Sequence, residues 1–313
     1  MNNRSAWFLD PSRRSGFSGE FKENEPLARH NYYRIGGPAR LFAIPRSVDD
    51  LQWIARGISE TSIPFHVIGL GSNYLVSDQG FDGLVIKLTR IDLGIERTSS
   101  GNLRTGASVA VSSLLRRAAQ EGWGGLEFLA GIPGSVGGVI AMNAGTHLGE
   151  AKDRVREVEA IQVFGDDFGK RLVFGQSELR FEYRKNLFLP EGALVTSCIW
   201  DITPRDASAV RADLDITLAR RKATQPVDFP SCGSVFKNPK AHGVHAWQVL
   251  DRVGLRGHRI GDAQVAEKHS NFIINHGNAT ASEVRALIEL AKSRAREQLG
   301  IELEEEVRYL GRF

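Results

Sequence analysis

Two glycine-rich stretches limit what this chain can become more than any average property does. Gly69-Leu70-Gly71-Ser72-Asn73 follows the apolar run Phe65 to Ile68, and Gly131-Ile132-Pro133-Gly134-Ser135-Val136-Gly137-Gly138 interrupts a second apolar region. Glycine lacks a Cβ and tolerates positive φ, so such loops let backbone N–H groups approach a phosphate closely. Together the pair suggests a cradle for a diphosphate, while either loop alone also reads as a tight turn. The first departs from the dinucleotide fingerprint, because Tyr74 stands where its third glycine would be. The second lacks the Lys-Ser/Thr ending of a P-loop.

The 313 residues, 42% hydrophobic and 25% charged, suit a globular protein of two or three domains. Basic and acidic side chains number 40 and 37, for a net charge of +3, and no long basic block occurs. Nucleic-acid binding therefore gains no support, whereas anionic small molecules remain suitable partners. With only Cys198 and Cys232, the chain offers neither a disulfide framework nor a metal-ligand spacing. Cys198 reads as a core thiol. The polar start, Met1 to Glu20, has no apolar signal core and is expected to be a loose tail. No stretch is apolar enough to span a membrane, and the expected compartment is the cytoplasm.

Periodicity predicts strands at 41–45, 65–69, 84–88, 155–164, 171–174 and 193–202. It predicts one helix opening at Ser47, with Leu51, Ile54, Ala55 and Ile58 on one face, and a second from Val111 to a stop at Gly122. A charged helix over 206–222, a short strand at 271–275, a helix capped by Thr280 and Glu283, and a strand at 305–310 follow. Strands and helices mix without steady alternation, which favours α+β over a doubly wound sheet. A domain boundary is expected near residue 204.

Three polar side chains sit in apolar or glycine-bearing settings: Arg184 after Phe181-Glu182-Tyr183, Ser234 after Gly233, and Glu304 at the final strand. An Arg–Glu pair around an anion is physically sensible. Each also has a plain reading, as a surface ion-pair former, a turn serine and an edge-strand acid respectively. Lys237 and Asn238 suit a phosphate or carboxylate, or simply a turn before Pro239. Arg221 either meets a diphosphate or only the negative end of its helix. His269 and Asn271 could position a ligand or serve as hydrogen-bonded structural groups. Cys232, two residues before Ser234, has only proximity to argue for reactivity.

In order, the chain carries Asn31-Tyr32-Tyr33-Arg34-Ile35-Gly36-Gly37-Pro38-Ala39, the two glycine loops, Met142-Asn143-Ala144-Gly145 and Tyr183-Arg184. It then carries Gly233-Ser234-Val235-Phe236-Lys237-Asn238-Pro239, Lys268-His269-Ser270-Asn271-Phe272 and Leu303-Glu304-Glu305-Glu306-Val307-Arg308. This ordered set resembles the UDP-N-acetylenolpyruvoylglucosamine reductase (UDP-N-acetylmuramate dehydrogenase) family from about Asn31 to the end. Residues 185–188 follow Arg184 directly, which leaves no room for an inserted tyrosine-bearing loop and points to the shorter, second type. Tyr32 and Tyr33 replace the usual small hydroxyl residues, and Glu305 stands where proline is common.

The resemblance implies an FAD-binding domain of the vanillyl-alcohol-oxidase type plus a C-terminal α+β substrate domain. It divides the chain into the tail 1–20, an FAD region 21–203 (subdomains about 21–90 and 91–203) and a substrate domain 204–313. It implies non-covalent FAD, NADPH as hydride donor, and a monomer acting on the UDP-linked enolpyruvyl sugar for peptidoglycan. Arg184, Ser234 and Glu304 take the catalytic positions. Arg184 would bind the substrate carboxylate, Glu304 would bond that carboxylate or orient Arg184, and Ser234 would protonate the adjacent carbon. Gly69 to Asn73, Gly131 to Ser135, Gly138, Asn143 and Gly145 take cofactor positions. Arg221, Lys237, Asn238, His269 and Asn271 take substrate positions. A flavin oxidase using O2 and a non-catalytic nucleotide-sugar binder are the rival readings.

Overall fold

In the computed structural model, residues 3–91, 93–165, 167 and 169–313 are described. The chain forms two compact units. One holds residues 1–22, 41–70 and 83–219, and the other holds 23–40, 71–82 and 220–313.

The first unit contains an antiparallel sheet in the order Arg171–Gly175, Val155–Gln162, Ala193–Trp200, Leu103–Gly106, Ile95–Arg97. The helix Val111–Glu121 lays Leu114, Leu115, Ala118 and Ala119 into the core beside that sheet, with Trp123, Val158 and Trp200. It stops at Gly122, whose φ of +70° is a left-handed cap that glycine adopts without strain. Inside this core the Trp200 indole N–H donates to Thr105 Oγ1 at 2.9 Å. Burial pushes the Cys198 thiol up to about 12, so it stays protonated and inert. A second core packs the helix Val48–Thr61 on Leu41, Ala43, Leu84 and Ile86. Strand Phe65–Ile68 runs parallel to its neighbour, with Phe65 opposite Leu84. Ser47 caps that helix, its hydroxyl accepting the Asp50 N–H at 3.0 Å.

Two sequence expectations of organisation need correction. Residues expected as a loose tail form the short helices Ala6–Leu9 and Pro11–Arg14, and Phe8 is fully buried. Trp7, Phe8, Phe17, Phe21 and Trp53 form an aromatic cluster, and the buried Asp50 carboxylate accepts the Ser18 N–H at 2.7 Å. The aromatics supply burial that a merely polar stretch lacks. The unit boundary also differs from a single cut near 204. The helix Ala207–Thr224 sends Val210 and Leu214 into the first unit's core, while its other large apolar residues, Ile216 and Leu218, stay exposed. Residues 23–40 and 71–82 belong with the C-terminal unit.

That second unit has an antiparallel sheet of Arg259–Ile260, Ala263–Val265 and Ile273–Asn275, and a parallel pair joining Tyr74–Val76 to Arg308–Leu310. The helix Ala281–Leu299 buries Val284, Leu287, Ile288 and Ala291. Thr280 and Glu283 form the reciprocal capping box. The Asp78 carboxylate adds to it by accepting the N–H groups of Ala281 and Ser282 at 2.7 and 3.0 Å, a favourable charge at a helix start. The expected strands at 271–275 and 305–310 shorten to Ile273–Asn275 and Arg308–Leu310, since Asn271 and Glu304–Glu306 are engaged around Ser234. The mixed α+β reading stands.

Candidate active site

In the first unit the two glycine regions meet. A Cβ on Gly69 would lie 2.6 Å from Ser135 Oγ, so only glycine permits this approach. Ser135 caps the helix Val136–Ala141, its Oγ accepting the Gly138 N–H at 3.4 Å. Gly131 and Gly134 take φ of +78° and +147°, and Val136 N–H donates to Val109 O at 2.9 Å. Leu70, Ile132, Pro133 and Gly134 are half-buried and Gly138 is exposed. A seam that a side chain would close, edged by half-buried and exposed backbone, fits the diphosphate of a dinucleotide held by backbone groups.

That helix ends against the hairpin that carries Arg184. Arg184 is the last residue of a two-residue turn between Phe181–Glu182 and Lys185–Asn186. Its φ is +60°, uncommon for a side-chain-bearing residue and costing about 1–3 kcal/mol. Its guanidinium carbon lies 5.0 Å from the Tyr183 ring centre. Asn143, which the resemblance places among the cofactor positions, directs its side-chain amide inward. Nδ2 donates to Glu150 Oε2 and to Glu182 O, both at 3.0 Å, and Oδ1 accepts the Lys152 N–H. Gly145 is needed for close packing, since its Cβ would sit 2.2 Å from Gly149 O.

In the second unit Ser234 precedes a segment gripped from two sides. Asn271 accepts the Phe236 N–H at Oδ1 and donates from Nδ2 to Phe236 O, at 3.0 and 2.8 Å. On the other side Glu306 N–H donates to Val235 O, and Lys237 N–H to Glu304 O, both at 2.8 Å. Lys237 Nζ also pairs with the exposed Glu304 carboxylate. Ser234, Lys237, Asn271 and Glu304 are thereby brought together. The Ser234 hydroxyl forms no hydrogen bond among the described residues, and space is open around Gly233. Asn238 accepts the Ala246 N–H at 3.0 Å and so opens the helix Ala246–Arg252.

Burial lowers the pKa of His269, and its Nδ1 has no partner among the described residues. Burial likewise lowers that of Arg221, making it a desolvated cation. Cys232 is driven up to about 12 by burial, which argues against a reactive thiol. The second unit also holds Gly71, Ser72 and Asn73. Gly71, at φ +70°, accepts the Tyr32 N–H at 3.1 Å, and Asn73 Nδ2 donates to Glu306 O at 3.1 Å.

Residues 225–310 match the C-terminal domain of UDP-N-acetylenolpyruvoylglucosamine reductase, and residues 39–166 match an FAD-binding domain. The reductase of that name from Heliobacterium modesticaldum is 42% identical over 295 residues, which is 94% of this chain and 92% of that protein. The one from Geobacter sulfurreducens is 40% identical over 311 residues, 99% of each chain. The chain belongs to the UDP-N-acetylenolpyruvoylglucosamine reductase family. It is an oxidoreductase. A solved reductase structure from Thermus caldophilus agrees, with a TM-score of 0.75 and 34% identity over 93% of this chain and 98% of that one. As a member of this family, the chain combines an FAD-binding domain with the reductase C-terminal domain. Among the described residues, no helix is long and apolar enough to cross a membrane.

Sequence reasoning missed Asn186, whose Nδ2 donates to Ala141 O at 2.8 Å, and Glu150, the acceptor for Asn143. Neither stands out as a residue type. Their roles come from contacts across 45 and 7 positions of chain.

Proposed function

We propose that this chain reduces UDP-N-acetylenolpyruvoylglucosamine to UDP-N-acetylmuramate for peptidoglycan precursors, with NADPH as donor and non-covalently held FAD. It acts in the cytoplasm as a monomer. End-to-end kinship with reductases of this name is the observation that carries the reading. The meeting of Gly69 with Ser135 supports the FAD diphosphate lying along that seam, with Gly131–Gly134 contributing backbone.

Bound FAD supplies the hydride chemistry, from NADPH to the vinyl CH2 carbon of the substrate. The guanidinium of Arg184 binds the substrate carboxylate and stabilises the negative charge that accumulates there. Ser234 Oγ–H delivers a proton to the adjacent carbon. Its hydroxyl, uncommitted among the described residues, suits that task. Lys237 fixes Glu304, whose carboxylate completes the polar surround. Arg221 serves the substrate diphosphate, a natural partner for a desolvated cation. His269 offers an unpartnered ring nitrogen to the nucleotide sugar. Asn271 and Asn238 hold the Ser234 segment and the helix after it.

The test is NADPH oxidation followed with and without the enolpyruvyl sugar. Oxidation dependent on the sugar, with formation of the lactyl ether, is expected. Sugar-independent oxidation that consumes O2 would favour an oxidase, and a colourless protein that binds the sugar would favour a plain binder. Flavin that stays with acid-precipitated protein would overturn the non-covalent assignment.

A further inference from the structure

We infer that Asn143 is a positioning residue for Arg184, acting through the end of the helix Val136–Ala141. The inference rests on the reading of Arg184 as the group that binds the substrate carboxylate.

The hairpin that carries Arg184 is minimal, with Phe181 opposite Asn186 and Glu182 opposite Lys185. An isolated two-stranded hairpin is marginally stable at best, and its turn here holds an arginine at φ +60°. Something outside the hairpin must keep that conformation. Both of its arms are tied to the same place. Asn143 Nδ2 donates to the carbonyl of Glu182, the residue that starts the turn. On the other arm Asn186 Nδ2 donates to Ala141 O, at the last turn of the helix.

Asn143 is itself fixed. It is fully buried, and Glu150 Oε2 and the Lys152 N–H take its remaining donor and its oxygen. Its φ of +43° lies in the left-handed region that asparagine tolerates best among side-chain-bearing residues. Aspartate would accept that backbone but would lose the donor to Glu182 and face the Glu150 carboxylate. Glycine would keep the backbone and lose every side-chain bond. The position therefore needs two amide hydrogens and a left-handed backbone at once.

The helix adds a length. Ser135, beside Gly69, caps its start, and Asn143 follows its end. Six helical residues advance about 9 Å. The element that meets the first glycine loop is thus also the element that holds the arginine turn.

The experiment uses the flavin-loaded full chain and calorimetric binding of two probes, UDP-N-acetylmuramate and UDP-N-acetylglucosamine, which lacks the carboxylate. Asn143→Gly should weaken UDP-N-acetylmuramate by roughly tenfold or more, because a misplaced guanidinium loses its charge-assisted bonds. Binding of the carboxylate-free probe should stay within about twofold of wild type on the same argument. In an Arg184→Ala background, Asn143→Gly should change neither probe, since it acts only through Arg184. Asn186→Ala should show the same selectivity, which keeps the inference testable if the glycine variant folds poorly.

Equal weakening of both probes, or of neither, would overturn the positioning role while leaving the Arg184 reading intact. If Arg184→Ala itself leaves UDP-N-acetylmuramate binding unchanged, the reading of Arg184 fails, and the positioning role falls with it.

Discussion

Gly69→Ala should change the sign of its effect with the residue at 135. In the native chain the new methyl would stand 2.6 Å from Ser135 Oγ, well inside van der Waals contact. Ser135 must then swing away, and the Gly138 N–H loses its acceptor. Losing a helix cap costs about 1 kcal/mol, and crowding at a residue only 4% exposed adds to it. Against this, Gly→Ala at a compatible backbone stabilises by about 0.4–1 kcal/mol through the unfolded state, and Gly69 is not among the positive-φ glycines. The net expectation is a loss of about 1 kcal/mol.

With Ser135→Ala already present, the cap is gone and the next atom the methyl meets is Cβ of residue 135 at 3.7 Å, an ordinary contact. Gly69→Ala should then stabilise by about 0.5 kcal/mol. The coupling between the two changes is therefore about 1.5 kcal/mol. Urea unfolding of flavin-free protein, followed by tryptophan fluorescence, measures all four corners from the midpoints at constant m. Equal effects of Gly69→Ala in the two backgrounds would refute the contact and, with it, the seam assigned to the diphosphate.

Ser234→Ala should leave NADPH-driven bleaching of the flavin near its normal rate and slow reoxidation by the enolpyruvyl sugar by roughly 10²–10⁴-fold. Stopped-flow absorbance showing equal slowing of both steps removes the serine from the proton-donor role. Phe8→Ala should cost about 3–5 kcal/mol in urea unfolding, because a fully buried ring is lost from the aromatic cluster. A cost below about 1 kcal/mol would restore the loose-tail reading. His269 has its folded-state pKa lowered by burial. As pH falls through about 6.5 the unfolded chain takes up a proton that the folded one resists, so stability should decline from there downward. Unfolding free energies at pH 7.5 and 5.5 should differ less in His269→Gln, and an unchanged difference would sink the assignment.

Local signals carried much of the fold. Ser47, Thr280 with Glu283, and Gly122 mark helix ends by chemistry confined to a few residues, and each cap forms as read. The glycine loops were legible for a similar reason, since absence of a Cβ is a property of single positions. What stayed hidden depends on distant partners. Trp7 and Phe8 look unremarkable in a polar stretch until Trp53 and Phe21 surround them. Asn143 reads as part of a loop motif, and nothing nearby in sequence announces that its amide reaches the Glu182 carbonyl. Arg184 could be picked out from its apolar setting and the ordered motifs, but its left-handed backbone could not, because arginine carries no preference for it.

The parallel pairing of Tyr74–Val76 with Arg308–Leu310 sets an order on biosynthesis. Asn73 and the Glu306 carbonyl it bonds are 233 positions apart. A ribosome adding about 5–20 residues per second leaves that interval open for roughly 10–50 s. Until that interval ends, the segment 71–82 waits with its eventual strand partner unmade. The second unit thus closes only after residues 308–310 have been made, and a chain released before them lacks the strand that belongs beside Tyr74–Val76.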